Sequence, residues 1–117
     1  MIFLDSTYLI GIILKKDTYS TKALKLKPLL KDEKKLINST VFNEVLNSLT
    51  ISNSNYNIDF LTHDDYADAV TAFKYYNHSV NFSDCTIVHS MIKNNVDTIV
   101  SFDSDFDKIK GIHRIHI

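Results

Sequence analysis

Four carboxylates each stand beside the end of a predicted strand or near the start of a predicted helix: Asp5, Glu44, Asp84 and Asp103. Two carboxylates about 4 Å apart repel each other by about 4 kcal/mol at an effective dielectric constant of about 20. A cluster of four is therefore costly unless protons or cations occupy it. Because carboxylate oxygens are hard ligands, such a cluster favours Mg²⁺ or Mn²⁺, which keep several bound waters.

The chemistry that a Mg²⁺ or Mn²⁺ site supports best is hydrolysis of a phosphodiester. Open coordination positions on the metal accept a phosphate oxygen and a water, and the metal lowers the pKa of that water. The chain has only two Gly, so it lacks a Gly-rich phosphate-binding loop. We therefore expect metal-assisted cleavage of phosphodiester bonds if the four acids meet in space.

Two of the acids follow directly on predicted strands. Ile2–Leu4 and Thr98–Phe102 are short apolar runs typical of buried strands, and Asp5 and Asp103 come next in the chain. In open α/β sheets, ligands bind beyond the carboxyl ends of the strands. The sequence therefore predicts that these two side chains lie at the ligand-binding edge of the sheet.

The other two acids belong to predicted helices. Glu44 is expected in the first turns of the helix that follows a second strand, Lys35–Asn38, and such a helix begins at the carboxyl edge. Asp84 is expected in the first turn of a helix that opens at Asn81 and runs to about Lys93. We expect both side chains to face the same edge, although Asp84 follows a helix rather than a clear strand.

The remaining segments alternate between helix and strand patterns. They are a helix capped by Ser6 or Thr7, a helix from about Ser20 to Leu30 interrupted by Pro28, a helix capped by Ser39 or Thr40, a turn at Ser52–Asn55, a strand at Ile58–Leu61, a helix from His63 to about Asn77 with Tyr66, Ala69, Val70 and Phe73 as its buried face, a one-turn helix at Asp105–Ile109 and a strand at His113–Ile117. Strands separated by helix-length segments predict an α/β fold: a three-layer α/β/α sandwich with a central, mostly parallel sheet.

Length and composition predict one domain spanning residues 1–117. A net charge of −1 differs from the strongly basic class of nucleic-acid-binding domains. The single Cys85, which we expect to be a small buried residue, excludes an intramolecular disulfide. With no signal peptide and no apolar run of the ~20 residues that a membrane span needs, we expect a cytoplasmic protein.

Four segments together resemble PIN domains, and most closely the VapC-type toxins of toxin–antitoxin pairs. They are Ile2–Ser6, Asn38–Val45, Phe82–Cys85 and Ile99–Phe106, in the order and spacing of that family. The resemblance implies a Mg²⁺- or Mn²⁺-dependent endoribonuclease with metal bound mainly by Asp5, Asp84 and Asp103. Glu44 would complete the cluster and help to orient metal or water. Ser101 matches a family position, usually Thr, whose hydroxyl lies beside the acids, and Asp105 is expected to act as a helix cap or an outer support.

The resemblance also implies partners: an RNA substrate, an antitoxin protein that silences the enzyme, and a second copy of the chain in a homodimer. Cleavage would leave a 5′-phosphate and a 3′-hydroxyl. Basic residues that are candidates for holding RNA phosphates, or that simply form a solvated face, are Lys15, Lys16, Lys22, Lys25, Lys27, Lys108, Lys110 and Arg114. His89, five residues after Asp84, is a candidate for a supporting contact to that acid.

Each acid also has a purely structural interpretation. Asp5 can cap the first helix, Glu44 and Asp84 can complement helix dipoles, and Asp103 can belong to a turn. An EF-hand starting at Asp103 is excluded, because Lys108 occupies the position that needs Gly. Two functional alternatives stay open: an RNA-processing PIN nuclease without an antitoxin, and a non-catalytic metal-binding or protein-binding module on the same fold.

Overall fold

A computed structural model of the chain describes residues 1–46 and 56–117, and five parallel strands of these residues form one sheet. The strands are β1 Ile2–Leu4, β2 Lys35–Asn38, β3 Tyr56–Asp59, β4 Thr98–Val100 and β5 His113–Ile115. Their order is β3-β2-β1-β4-β5, and each neighbouring pair is parallel. The predicted α/β fold with a mostly parallel central sheet is thus confirmed. The predicted turn at Ser52–Asn55 lies outside the described residues.

The α-helices of the described ranges are α1 Ser6–Ile13, α2 Ser20–Leu26, α3 Ser39–Leu46, α4 His63–Tyr75 and α5 Phe82–Lys93. Short 3-10 helices cover Lys27–Leu30 and Ser104–Lys108. Pro28 explains why α2 ends early, because its ring removes a backbone donor and favours a new helical start.

Within residues 1–46 and 56–117, no helix combines the length and the apolarity that crossing a lipid bilayer requires.

One face of the sheet packs against α1 and α2. The strand register places Leu4, Lys35 and Tyr56 on this face, since side chains two residues apart along a strand point to the same side. These three residues line a cavity of about 370 Å³ together with Tyr8 of α1 and Leu24 of α2. The first helical layer of the sandwich therefore lies over β1 and β2.

The other face of the sheet packs against α5. Asn38, at the end of β2, donates from Nδ2 to the Thr86 carbonyl at 3.2 Å and to the Ser90 hydroxyl at 3.0 Å. Its Oδ1 accepts a hydrogen bond of 3.1 Å from the backbone N–H of Val41. Asn38 is therefore the N-cap of α3, and the predicted capping by Ser39 or Thr40 is wrong. A fully buried amide is satisfied here on both sides, which ties the carboxyl end of β2 to two helices.

The sequence prediction for β3 is displaced by two residues. The strand begins at Tyr56, which pairs with Lys35, and it ends at Asp59 rather than extending to Leu61. Along this edge strand Tyr56 and Ile58 face α1 and α2, while Asn57 and Asp59 face the other side, where Asp59 pairs with Lys93 of α5. Asp59 belongs to the strand as predicted, whereas Tyr56 and Asn57 lie outside the predicted range.

The buried face of α4 also differs from its prediction. Tyr66 and Val70 are each 40% exposed, whereas Asp65 and Ala69 are buried. Asp65 completes a capping box with Thr62, in which the Thr62 side chain accepts from the Asp65 N–H and the Asp65 carboxylate accepts from the Thr62 N–H. The face that contacts α5 therefore includes a buried carboxylate, alongside Tyr66 and Phe73, whose rings pair with that of Phe82 in α5.

His89 supports this helix contact rather than the candidate acids. Its Nε2 lies 2.8 Å from Oδ1 of Asp65, and Lys93 Nζ lies 3.0 Å from Oδ2 of the same carboxylate. The backbone N–H of Thr62, then His89 and Lys93, hold the pKa of Asp65 well below its usual range. The expectation that His89 supports Asp84 is thus not met, because its ring pairs with α4.

Helix α1 approaches α2 closely at Gly11. A Cβ built on Gly11 would lie 2.9 Å from the Ala23 Cβ and 3.2 Å from the Tyr19 carbonyl oxygen. In an open helix, Gly→Ala stabilises by about 1 kcal/mol. Here we expect Gly11→Ala to lower the free energy of unfolding by about 1–3 kcal/mol, because the added methyl overpacks the contact.

Urea denaturation of the parent and the Gly11→Ala variant measures this effect. The double variant Gly11→Ala, Ala23→Gly should recover part of the loss, since it removes the nearest clashing atom. A gain of stability in the single variant would show that the two helices do not meet at this point.

Candidate active site

Three carboxylates converge beyond the carboxyl end of β4. One oxygen from each of Asp84, Asp103 and Asp105 lies within 4.8 Å of the other two. Asp103 is the N-cap of the 3-10 helix that begins at Ser104, and its Oδ1 accepts from the Asp105 N–H at 2.9 Å. Asp84 enters from the first turn of α5, where Asn81 accepts from the Asp84 N–H at 2.9 Å. The cap geometry of two helical segments therefore sets the spacing of the acids.

Asp5 is held beside these acids by two hydroxyl groups. Because β1 pairs with β4, the Asp5 N–H donates to the Val100 carbonyl at 3.0 Å, next to Ser101. Ser101 Oγ donates to Asp5 Oδ2 at 2.6 Å, and Thr7 Oγ1 donates to the same oxygen at 3.0 Å. Ser101 Oγ also accepts a 3.0 Å hydrogen bond from the Asp103 N–H. One hydroxyl thereby links the two acids that follow β1 and β4.

Thr7 is a residue that the sequence analysis did not assign to the site. Besides its contact with Asp5, its Oγ1 accepts from the Phe102 N–H at 3.0 Å. It was treated only as a helix cap, and the N-cap position of α1 belongs to Asp5, whose side chain makes no capping hydrogen bond. The sequence did contain a signal for this role, because the hydroxyl of Thr7 comes two residues after Asp5, the acid that follows β1.

Glu44 lies at the edge of this group. Helix α3 begins at Ser39, so Glu44 lies in its second turn, beyond the first turn in which it was predicted. Its Oε2 accepts a long hydrogen bond of 3.4 Å from Ser6 Oγ. Partial burial, and then the charge of Asp5, raise the pKa of Glu44. The fourth acid is therefore close enough to Asp5 for the two charges to repel each other.

Asp84 carries the clearest electrostatic signature of the site. The residue is 5% exposed, and in the described part of the chain its Oδ2 is buried without a hydrogen-bond partner. Burial first, followed by the charges of Asp103 and Asp5, raises the pKa of Asp84 from 3.8 to about 7. Burial also raises the pKa of Asp5, against the hydrogen bonds from Ser101 and Thr7. The buried carboxylate of Asp84 therefore needs a proton or a bound cation to stabilise it.

Two cationic side chains border the acids. Lys108 Nζ lies 2.9 Å from Asp105 Oδ1, with both side chains partly exposed. Arg114 pairs with Asp107 at 2.8 Å and donates from Nη1 to the Ser101 carbonyl at 3.2 Å. Arg114 therefore fastens β5 and the 3-10 helix to the end of β4, which fixes the backbone that presents Ser101.

The donor set fits a hard divalent cation. The converging ligand atoms are carboxylate oxygens, and Asp84 Oδ2 is an oxygen without a partner among the described residues. Mg²⁺ and Mn²⁺ favour such oxygens over nitrogen or sulfur ligands. Asp84 and Asp103 belong both to the predicted metal set and to the group of carboxylates whose oxygens lie within 4.8 Å of one another. The third member of that group is Asp105, whereas the prediction had Asp5.

Removing the hydroxyl groups that hydrogen-bond Asp5, those of Ser101 and Thr7, should weaken metal binding without removing a carboxylate. We expect Ser101→Ala to weaken Mn²⁺ binding by about 10- to 100-fold, because partners that orient metal ligands typically contribute this much. Thr7→Val should have a similar but smaller effect, since its hydrogen bond to Asp5 is longer. Titration calorimetry with Mn²⁺ measures both constants. Unchanged affinity in both variants would mean that Asp5 needs no support from hydroxyl groups.

The comparisons with known proteins agree with this architecture. Residues 2–112 match the sequence model of the PIN domain. The chain is similar in structure to VapC20 of Mycobacterium tuberculosis, a Sarcin-Ricin loop cleaving toxin, with a TM-score of 0.86 and 17% identity over 100% of both chains. No curated protein sequence matches the chain significantly.

Two other solved structures share the fold. VapBC2 from Rickettsia felis, bound to a DNA fragment from its promoter, has a TM-score of 0.67 and 21% identity over 98% of each chain. FitAcB from Neisseria gonorrhoeae has a TM-score of 0.70 and 12% identity, covering 98% of this chain and 96% of the other. At these identities the likeness concerns the fold, whereas the sequence match extends over nearly the whole chain. The resemblance seen in the motifs is confirmed, and the chain belongs to the PIN domain family.

Proposed function

We propose that this protein is a Mg²⁺- or Mn²⁺-dependent endoribonuclease and the toxin of a type II toxin–antitoxin pair, acting in the cytoplasm. The observation that carries the proposal is the buried Asp84 carboxylate, whose Oδ2 lacks a partner in the described structure beside Asp103 and Asp105. Membership of the PIN domain family and the structural likeness to VapC20, a Sarcin-Ricin loop cleaving toxin, support the same activity.

In the proposed mechanism, the acidic side chains hold the metal and orient the water. Asp84 and Asp103 would hold the metal with Asp5, and Asp105 offers another oxygen in the same space. A bound divalent ion supplies a water of lowered pKa and neutralises charge in the transition state. Glu44, whose pKa is raised, would orient the attacking water at its Oε2. Cleavage would leave a 5′-phosphate and a 3′-hydroxyl.

Basic side chains would hold the RNA backbone beside the acids. Lys108 is the nearest candidate, because its Nζ already contacts Asp105 and can turn to a phosphate oxygen. The lysines of the first helical layer are exposed: Lys15, Lys16, Lys22, Lys25 and Lys27. Such contacts position RNA without reading its sequence.

The proposed protein partners are an antitoxin and a second copy of the chain. The likeness to VapBC2, a complex bound to promoter DNA, supports the antitoxin. Tyr66, Val70 and Tyr75 expose apolar area on α4 that a partner could cover. The alternative of an RNA-processing nuclease would lack an antitoxin, and a small upstream gene for a DNA-binding protein separates the two.

The experiment that tests the activity is incubation of the purified protein with structured RNA and Mn²⁺. We expect cleavage that stops with chelator and falls by at least about a hundredfold in Asp5→Asn, because the metal-centred terms contribute several kcal/mol. Asp64→Asn is the matched control, since Asp64 is fully exposed on α4. If Asp5→Asn cleaves as fast as the parent, the activity comes from another site or another protein. A parent that binds Mn²⁺ without cleaving RNA would favour the non-catalytic alternative.

A further inference from the structure

A stacked pair of aromatic rings includes the residue that precedes Asp103 in the chain, and neither ring can hold a metal. Phe102 stands between Ser101 and Asp103, and its ring stacks on Tyr19 with centroids 4.7 Å apart and planes inclined by 10°. Both residues are partly exposed. The Phe102 N–H donates to Thr7 Oγ1 at 3.0 Å, which fixes the backbone that carries this ring.

The backbone of Tyr19 is held in place from three sides. Its N–H donates to Asp17 Oδ2 at 3.0 Å, and its carbonyl accepts from the Ala23 N–H at 2.8 Å. The carbonyl also lies against Gly11, where a Cβ would come within 3.2 Å of it. A loop fixed in this way presents its ring with little loss of conformational entropy when a ligand binds.

The same loop carries positive charge. Lys15 and Lys16 precede Tyr19 in the connection between α1 and α2, and both are exposed. Cations that follow a phosphate backbone, combined with aromatic rings on which bases stack, are the usual way to bind single-stranded nucleic acid. The carboxylates themselves repel phosphates, so uncharged contacts such as base stacking add affinity near the cleaved bond to what the metal and the basic side chains supply.

We propose that Tyr19 and Phe102 form a stacking platform for one nucleobase of single-stranded RNA, adjacent to the phosphodiester held at the acids. The proposal rests on the proposed ribonuclease function and adds to it a positioning site for the substrate. The base inserts against the exposed part of the ring pair while Lys15 or Lys16 contacts a neighbouring phosphate. Stacking tolerates any base, so the platform selects unpaired nucleotides rather than a sequence.

A simpler role for the two rings is to cover the end of β4. The two roles predict different effects on KM when a base is removed from the RNA. A leucine at position 19 keeps an apolar cover but loses the aromatic face, whereas a phenylalanine keeps both. A cover would respond in the same way to RNA with and without a base at the contacted nucleotide.

The test uses a 12-nucleotide single-stranded RNA of mixed sequence, cleaved with Mn²⁺, whose cut position is first mapped with the parent. The same RNA is then made with one abasic nucleotide at each position flanking the cut. We expect one abasic position to raise KM about tenfold for the parent, the effect of losing one stacked base. Tyr19→Leu should raise KM about tenfold on intact RNA with kcat little changed, and Tyr19→Phe should leave both constants near those of the parent.

The deciding result is the combination of the two changes. On the abasic RNA, Tyr19→Leu should cost almost nothing further, since the partner of the ring is already missing. Equal losses on intact and abasic RNA would overturn the platform while leaving the nuclease intact. The same conclusion would follow from an equal loss in Tyr75→Leu, which removes an aromatic residue that is 79% exposed at the C-terminal end of α4. If Tyr19→Leu lowers the melting temperature, Phe102→Leu takes its place in the same comparison of intact and abasic RNA. If the parent cleaves no RNA, the proposed function fails and the platform fails with it.

Discussion

Replacing Asp103 with Asn is expected to lower the rate of RNA cleavage by at least about a hundredfold and to abolish stabilisation by Mn²⁺. Asp103 belongs both to the metal set predicted from the sequence and to the group of three carboxylates that converge in the structure. A ligand at a hundred times its dissociation constant stabilises the folded state by about 2.7 kcal/mol. For a domain of this size, that raises the melting temperature of the parent by on the order of 10 °C.

A matched set of variants separates the two candidate metal sets. Melting curves with and without Mn²⁺ are recorded for Asp103→Asn, Asp105→Asn, Asp5→Asn and the control Asp64→Asn. If Asp105 binds the metal, its variant should lose as much of the Mn²⁺ effect as Asp103→Asn. If Asp5 binds it instead, the larger loss should appear in Asp5→Asn. A melting temperature of Asp103→Asn that rises with Mn²⁺ as much as that of the parent would exclude a metal role for this residue.

The second large effect concerns the stability of the metal-free protein. The folded-state pKa of Asp84, about 7, lies above its ordinary value of 3.8, so the folded protein binds a proton more tightly than the unfolded chain does. The free energy of unfolding should therefore fall as the pH rises from about 4 to about 7, and level off above that. The difference between the two pKa values corresponds to roughly 4 kcal/mol.

Asp84→Asn should remove most of this pH dependence and should stabilise the metal-free protein at pH 8. The buried amide keeps a desolvation cost of about 1–3 kcal/mol, so we expect a net gain of about 1–3 kcal/mol at that pH. Urea denaturation in chelator between about pH 5 and pH 8 measures it. This range avoids acid conditions, in which protonation of Asp65 destabilises the fold because its pKa is lowered. Flat stability of the parent over this range, or a loss in Asp84→Asn at pH 8, would contradict the electrostatic account.

The two strand-end acids show what the sequence can specify about this site. Asp5 and Asp103 each follow an apolar run, and parallel pairing of β1 with β4 brings those chain ends together. The pattern of buried strands and the direction of the sheet therefore predict the edge where the acids lie. The distances between the acids come from short-range backbone geometry, such as the capping of the 3-10 helix by Asp103, which brings Asp105 close.

The errors have a common physical origin in polar groups that are satisfied across the fold. Thr7 accepts a hydrogen bond from Phe102, which is distant in the chain. Asn38 caps α3 one residue before the expected position. Asp65 is buried because His89 and Lys93, on another helix, pair with it. A single sequence shows that these side chains are polar but not which partners they meet. Predictions based on local capping and on apolar periodicity therefore misplaced the N-cap of α3 and missed the buried carboxylate of α4.

The most direct test of the central claim is a crystal of the protein soaked in Mn²⁺ and measured for anomalous scattering. We predict a peak coordinated by Asp84 Oδ2, which lacks a partner among the described residues, and by Asp103. The third carboxylate at the peak decides between Asp5 and Asp105. Mn²⁺ bound elsewhere on the protein, with no peak at Asp84 and Asp103, would contradict the claim that these acids form a metal centre.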